Sequence, residues 1–348
     1  MPLDPFFAER LRLHRRYLFD QALGSMRKRL WALWPFGRTS VPEPQKPAKG
    51  PKLSPRARHR RAALAWDRTE LRTVGTPGPD VRTTEHDVPV PGAPSVRVRL
   101  YHPRGDGPAP AVLAFYGGAF RIGGIDYPTT DAGFRRRCTD AGVVIAAVDY
   151  ALAPEHRYPV QVEQAYAALS WLFAEADGLG VNPSRIGVAG ISAGANLAAA
   201  VTLVNRDRDG YPLRLQVLEV PVTDLTGAHL DLRATRALGI PRFIVARELR
   251  SVARTYLPAK RLASEPYASP LRAASHEDLP PAVILTAEFD PLRGDGEAYG
   301  AALRLAGVDA SVVRYLGVTH DTPIFTGALP AARRWHDDVV SALRRLHA

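Results

Sequence analysis

One stretch constrains the fold of this chain more than any other. Val188-Ala189-Gly190-Ile191-Ser192-Ala193-Gly194-Ala195-Asn196 reads as an apolar strand that runs into Gly-x-Ser-x-Gly and turns at once into an Ala-rich helix. A turn that sharp thrusts one hydroxyl out of the sheet, and its flanking positions must be small because backbone crowds backbone there. Gly190 and Gly194 meet that need, so Ser192 is the candidate nucleophile. The pattern alone also arises by chance, and the elements around it must decide.

Those elements alternate. Continuous apolar runs at 111–116 and 143–148 suit strands buried on both faces of a parallel sheet. Helical patterns follow them at 129–140 and 160–175. Then come a strand at 185–189, a helix at 193–205 and a strand at 214–220, and after an interruption a strand at 282–287, a helix at 296–306, a strand at 310–315 and a helix at 331–346. This rhythm specifies a doubly wound α/β sandwich. Upstream, alternating apolar residues at 83–90 and 95–101, joined through Pro91-Gly92-Ala93-Pro94, predict an edge hairpin with one solvated face. Residues 222–280 break the rhythm and are expected to be an insertion at the C-terminal edge of the sheet, a cap over a pocket rather than a separate domain.

Charge divides the chain. Of the net +11, residues 1–70 carry +10, with 16 Lys and Arg against 6 Asp and Glu, and residues 71–348 are nearly neutral. The basic arm holds Phe7, Leu11, Leu18, Ala22, Met26 and Leu30 at roughly helical spacing, interrupted by Arg15, Arg29 and Gly24-Ser25, then a Pro- and Lys-rich linker over 39–55 and a short helical run from Arg56 through Trp66. Three roles are open for it: a lid over the main domain, weak docking on an anionic membrane, or, least favoured, nucleic-acid binding. The single cysteine, Cys138, excludes an internal disulfide and has no metal-ligand spacing around it. With no long apolar run and no uninterrupted apolar segment before a cleavage site, a cytoplasmic location, or one peripheral to the membrane through the arm, is the default expectation.

A serine hydroxyl attacks a carbonyl only if a base accepts its proton and donors hold the oxyanion. The strand at 282–287 is followed by Glu288-Phe289-Asp290-Pro291-Leu292, and the strand at 310–315 by Leu316-Gly317-Val318-Thr319-His320. An acid and then a histidine, each just past a strand, follow the order of serine triads on α/β sheets. His320 is therefore the candidate base and Asp290 its orienting acid. Glu288, Asp295 and Asp321 are rivals, and Pro291 favours Asp290 by holding it extended at the strand tip. Oxyanion donors are expected from the loop Tyr116-Gly117-Gly118-Ala119-Phe120, at Gly118 and Ala119, together with the backbone N–H of Ala193. No Gly-Lys-Ser/Thr follows that loop, which argues against nucleotide binding.

With these residues assembled, the chain resembles the hormonesensitive-lipase-like carboxylesterases of the α/β-hydrolase fold, bacterial family IV. Four motifs carry the resemblance in order: Phe115-Tyr116-Gly117-Gly118-Ala119-Phe120 for the family's HGGGF, Asp149-Tyr150-Ala151-Leu152-Ala153-Pro154-Glu155-His156 for DYRLAPEH, Gly190-Ile191-Ser192-Ala193-Gly194-Ala195-Asn196-Leu197-Ala198 for GDSAGGNLA, and Asp290-Pro291-Leu292-Arg293 for DPLRD. The match covers residues 83–346. It implies a mostly parallel eight-stranded sheet with helices on both faces, a small cap from the N-terminal region and 222–280, short- to medium-chain acyl esters as substrates, no cofactor or metal, and frequently a homodimer. The departures are Tyr116 for His, Ala119 for Gly, Ile191 for Asp, Ala195 for Gly, and Asp321-Thr322 for Gly-Phe. None removes a triad member, and Ala119 is expected to narrow the pocket on its side. A ligand-binding or scaffolding protein on the same fold is the alternative, against which the retained His320 argues.

Overall fold

The computed structural model describes residues 2–13, 54–105 and 107–348. Residues 14–53, which hold most of the arm's expected helix and all but the last two residues of its linker, lie outside them.

Eight strands form one sheet. β1 (Arg82–Val90) and β2 (Ala93–His102) make the antiparallel hairpin expected at the edge, and only Val88 and Val90 of β1 are buried, as one solvated face requires. β2 pairs antiparallel with β4 (Val144–Asp149), and from there every pairing is parallel, through β3 (Ala109–Phe115), β5 (Val181–Ile191), β6 (Leu213–Glu219), β7 (Ala282–Ala287) and β8 (Ala310–Tyr315). The order is β1-β2-β4-β3-β5-β6-β7-β8. β3 and β4 are almost wholly buried, in keeping with their unbroken apolar runs.

Helices cover both faces. α3 (Pro128–Ala141) and α9 (Pro330–Arg344) pack together, while α4 (Val160–Ala174) packs on α5 (Ala193–Asp207), and α8 (Arg293–Leu305) lies against β7 and β8. Every residue of α5 from Ala193 to Asn205 is buried, which explains why alanine dominates a helix pressed between sheet and helix. The chain leaves β3 for β4 on one side and returns to place β5 on the other side of β3. The C-terminal ends of β3 and β5 thus form the crevice at the topological switch point, where open α/β sheets build their sites.

The helical run expected to start at Arg56 is longer than its charge pattern suggests. α2 spans Pro55–Thr73, capped by the Ser54 hydroxyl, which accepts from Ala57 N–H at 3.2 Å. Its far end is held by tertiary contacts: Asp67 is buried and accepts from Thr129 N–H at 3.0 Å and from the Thr129 hydroxyl, capping the N-terminus of α3. Residues 5–13 form the first helix, α1, and its Phe6 and Phe7 pack on Phe325 with ring centroids 5.1 and 5.5 Å away. The insertion contains α6 (Thr235–Leu238) and α7 (Arg242–Tyr256), and α7 is pinned where Tyr256 stacks on Phe120 at 3.8 Å.

Candidate active site

β5 ends at Ile191, and Ser192 carries the turn into α5 with φ +55° and ψ −114°, a conformation L-residues rarely adopt. The two glycines explain how the chain passes. A Cβ on Gly190 would come within 2.2 Å of the Gly194 carbonyl oxygen, and one on Gly194 within 2.3 Å of that of Phe115 at the end of β3. The turn is braced by Ser192 N–H donating to the Glu219 carbonyl at 2.8 Å, and by the Asn196 amide donating to the carbonyls of Val222 and Ala268 at 2.8 and 3.0 Å.

Ser192, His320 and Asp290 come together from 128 residues apart in sequence. The Ser192 hydroxyl lies 3.0 Å from His320 Nε2, and His320 Nδ1 lies 2.7 Å from Asp290 Oδ2. A carboxylate at Nδ1 assigns that nitrogen the proton, which leaves Nε2 free to accept from Ser192. Asp290 is 1% exposed and its other oxygen accepts from Leu292 N–H at 2.9 Å. Burial lowers the His320 pKa, but the charge and hydrogen bond of Asp290, with Asp321 adding to them, raise it above the ordinary imidazole value. The rival acids are engaged elsewhere: Glu288 accepts from Gly317 N–H at 2.7 Å, and Asp295 from Thr223 and Asp224 N–H at 2.9 and 3.0 Å. Asp321 is exposed at the mouth of the cavity.

The loop after β3 runs beside Ser192. A Cβ on Gly117 would stand 3.5 Å from that of Ser192. Gly118 has φ +140°, Ala119 +54° and Phe120 +59°, so Ala119 holds a left-handed conformation despite its Cβ. Among the described residues no backbone carbonyl accepts from the N–H of Gly118, Ala119 or Ala193, the last being the first residue of α5. Three uncommitted donors, one at a helix N-terminus, are what a developing oxyanion needs. Tyr116, at the root of this loop, stacks on Tyr150 with ring centroids 4.3 Å apart.

A cavity of about 360 Å³ opens from Ser192, Gly118 and His320 and runs between α2, α3 and α9. Its walls include Trp66, Asp67 and Leu71 of α2, Phe134, Arg136 and Arg137 of α3, and Trp335 of α9. Sequence reasoning missed these walls. A faint signal existed in Arg135-Arg136-Arg137, because three successive residues on a helix sweep about 200° and cannot all face water on a helix that covers a sheet. The deepest of them, Arg137, places its Nη1 and Nη2 each 2.8 Å from a carboxylate oxygen of the fully buried Glu219, which also accepts from Trp335 Nε1–H at 2.8 Å. Among the described residues no group of three His, Cys, Asp or Glu side chains is placed to hold a metal ion.

This architecture has known counterparts. The family pattern described as alpha/beta hydrolase fold matches residues 112–324. The carboxylic ester hydrolase LipN of Mycobacterium tuberculosis is 39% identical over 268 residues, 74% of this chain and 69% of that protein. Carboxylesterase NlhH of the same organism is 35% identical over 81% of this chain and 89% of its own. Among solved structures, the metagenomic carboxylesterase EstE1 superposes with a TM-score of 0.76 at 35% identity, over 84% of this chain and 98% of that one. The hyperthermophilic esterase of Pyrobaculum calidifontis gives a TM-score of 0.80 at 30% identity, over 100% and 99%.

Proposed function

The chain belongs to the alpha/beta hydrolase fold family, on its hormone-sensitive-lipase-like branch, and on that premise we propose that it is a serine carboxylesterase that hydrolyses short- to medium-chain acyl esters through an acyl-enzyme. The observation that carries this reading is His320 standing between the Ser192 hydroxyl and the Asp290 carboxylate. His320 takes the hydroxyl proton as Ser192 Oγ attacks the ester carbonyl, and Asp290 stabilises the imidazolium. The N–H groups of Gly118, Ala119 and Ala193 receive the negative oxygen of the tetrahedral intermediate. His320 then hands its proton to the departing alcohol, leaving the acyl group on Ser192. A water that surrenders a proton to His320 attacks that acyl carbon, the second tetrahedral intermediate collapses, and the acid leaves as Ser192 regains its proton. No cofactor enters these steps.

A fluorophosphonate probe should label wild-type protein at Ser192 and not Ser192→Ala, and p-nitrophenyl acetate and butyrate should be hydrolysed by the wild type alone. Full activity in Ser192→Ala, or no labelling of a folded wild type, would sink the reading and favour a ligand-binding protein on the same fold.

We also propose that the N-terminal region is part of the cap. In support, α2 lines the cavity, and residues 5–13 pack on Phe325, just beyond His320. Co-sedimentation with anionic vesicles, comparing the full chain with a chain lacking residues 1–53, which carry +7 of the arm's +10, separates this role from membrane docking by the arm. Cys138 is unpaired and buried, which fits a reducing compartment and so a cytoplasmic enzyme.

A further inference from the structure

The cavity holds two arginines of α3 in different electrical states. Arg137 is matched by the buried carboxylate of Glu219. Arg136 lines the same cavity and has no carboxylate within ion-pair distance among the described residues; its Nη1 donates to the Thr76 carbonyl, and its Nε–H is buried without an acceptor. The acids nearby are committed. Asp67 accepts from Thr129 through both oxygens, Glu219 is held by Arg137 and Trp335, and Asp140 lies 2.8 Å from His336 Nε2. Burial, with the neighbouring Arg137 adding to it and the more distant Asp140 only partly opposing them, pushes the Arg136 guanidinium down to about 10.

Arg136 is half-buried, with its Nε–H wholly out of water; a cation left there without a partner is unfavourable, and a guanidinium is the side chain best shaped to take a carboxylate through two parallel hydrogen bonds. Arg136 and Ser192 line one cavity whose wall is mostly apolar and includes Ile122, Phe134, Ile191 and Ile324. We propose that the Arg136 end of the cavity is a subsite for a carboxylate carried by the substrate, so that the preferred esters bear an anionic group at a distance from the scissile carbonyl, across an apolar spacer. This inference rests on Ser192 being the nucleophile, and it adds the substrate class.

The test measures kcat/KM for the full-length wild type, Arg136→Met and Arg136→Lys on two matched pairs. Monoethyl adipate against ethyl hexanoate places the carboxylate in the acyl part. 4-Carboxyphenyl butyrate against 4-acetylphenyl butyrate places it in the alcohol part. In one pair the wild type should favour the carboxylate ester. Arg136→Met should lower the ratio of kcat/KM for that ester to kcat/KM for its neutral partner by about 10- to 100-fold, with Arg136→Lys between the two proteins, because only the carboxylate ester loses a charge-assisted bond while the lost Thr76 contact bears on both esters alike. The pair that responds identifies which part of the ester reaches Arg136. Should Arg136→Met fail to fold, the wild-type preference and the Lys variant decide. A wild type that favours the neutral ester in both pairs, or an unchanged ratio in the variants, overturns the subsite while leaving the esterase reading intact. A folded wild type that hydrolyses none of the four overturns both.

Discussion

Tyr116 and Tyr150 are bound to each other twice. The Tyr116 hydroxyl donates to the Tyr150 carbonyl at 3.0 Å, the Tyr150 hydroxyl donates to the Tyr116 carbonyl at 2.8 Å, and the two buried rings stack between these bonds with planes 11° apart. Tyr116 is the last residue before the glycines of the oxyanion loop, so the pair anchors the loop at its root. The tyrosine that follows Asp149 at the end of β4 is the other half of this anchor.

Removing one hydroxyl leaves a buried carbonyl without its donor, at a cost of about 1–3 kcal/mol. Tyr150→Phe frees the carbonyl nearer the loop and should lower kcat more than KM, because loosened donors weaken oxyanion binding rather than substrate binding. Tyr116→Phe frees the carbonyl on the other strand and should cost comparable stability with a smaller fall in kcat. Thermal unfolding and steady-state kinetics check this, and two variants that melt with the wild type would show that the pair does not hold the loop.

Ala119 occupies a left-handed conformation at φ +54°, where a Cβ costs about 1–2 kcal/mol. Ala119→Gly relieves that strain, but it also loosens the unfolded chain, which returns part of the gain. The expected net effect is a stabilisation of up to about 1 kcal/mol, with kcat/KM for acetate esters retained because the N–H stays in place. Ala119→Val, β-branched at the same φ, should destabilise by more than about 1 kcal/mol. Denaturant titrations decide, and a glycine variant less stable than the wild type contradicts the strain argument.

Much of this arrangement is legible in the sequence for physical reasons. A strand buried on both faces must be apolar throughout, so β3, β4 and β7 are visible to within about two residues, whereas β8, the exposed edge strand, shows itself through its β-branched and aromatic residues. An elbow must be flanked by glycine where carbonyls approach within 2.4 Å of the would-be Cβ, so Gly190 and Gly194 mark Ser192. β5 starts earlier than the expected 185, at Val181, because the strand pairs with Ala109 before its apolar stretch begins. The cavity walls are a different matter. Arg137 and Glu219 meet across 82 residues, and Asp67 reaches Thr129 across 62. No local pattern announces such pairs, and Glu219 reads as an ordinary polar end to a strand.

The Arg137–Glu219 pair yields its own prediction, because Glu219 has no exposed surface. Arg137→Met strands a buried carboxylate and should cost about 3–5 kcal/mol, whereas Arg137→Met combined with Glu219→Leu removes both charges and should recover most of that loss. The double variant still lacks the acceptor for Trp335 Nε1–H, so recovery should stop short of the wild type by about 1 kcal/mol. Unfolding free energies of the three proteins test the coupling, and additive losses would mean that the two charges do not depend on each other.

The proposed base gives the last prediction a sign. His320 accepts a proton from Ser192 only as neutral imidazole, so activity is present above its pKa and lost as pH falls through it. The pair with Asp290 raises that pKa above the ordinary imidazole value, so the acidic limb of kcat/KM should have its midpoint above about 6.5. Asp290→Asn removes the negative charge at 2.7 Å from Nδ1, and the limb should move to lower pH. The same substitution lets an amide N–H face Nδ1 and favours the wrong tautomer, so kcat should fall by about 10³–10⁴. A pH profile of both proteins on p-nitrophenyl butyrate measures both effects. A limb that stays in place in Asp290→Asn would mean that another group titrates, and the exposed Asp321, beside the same histidine, would be the next residue to change.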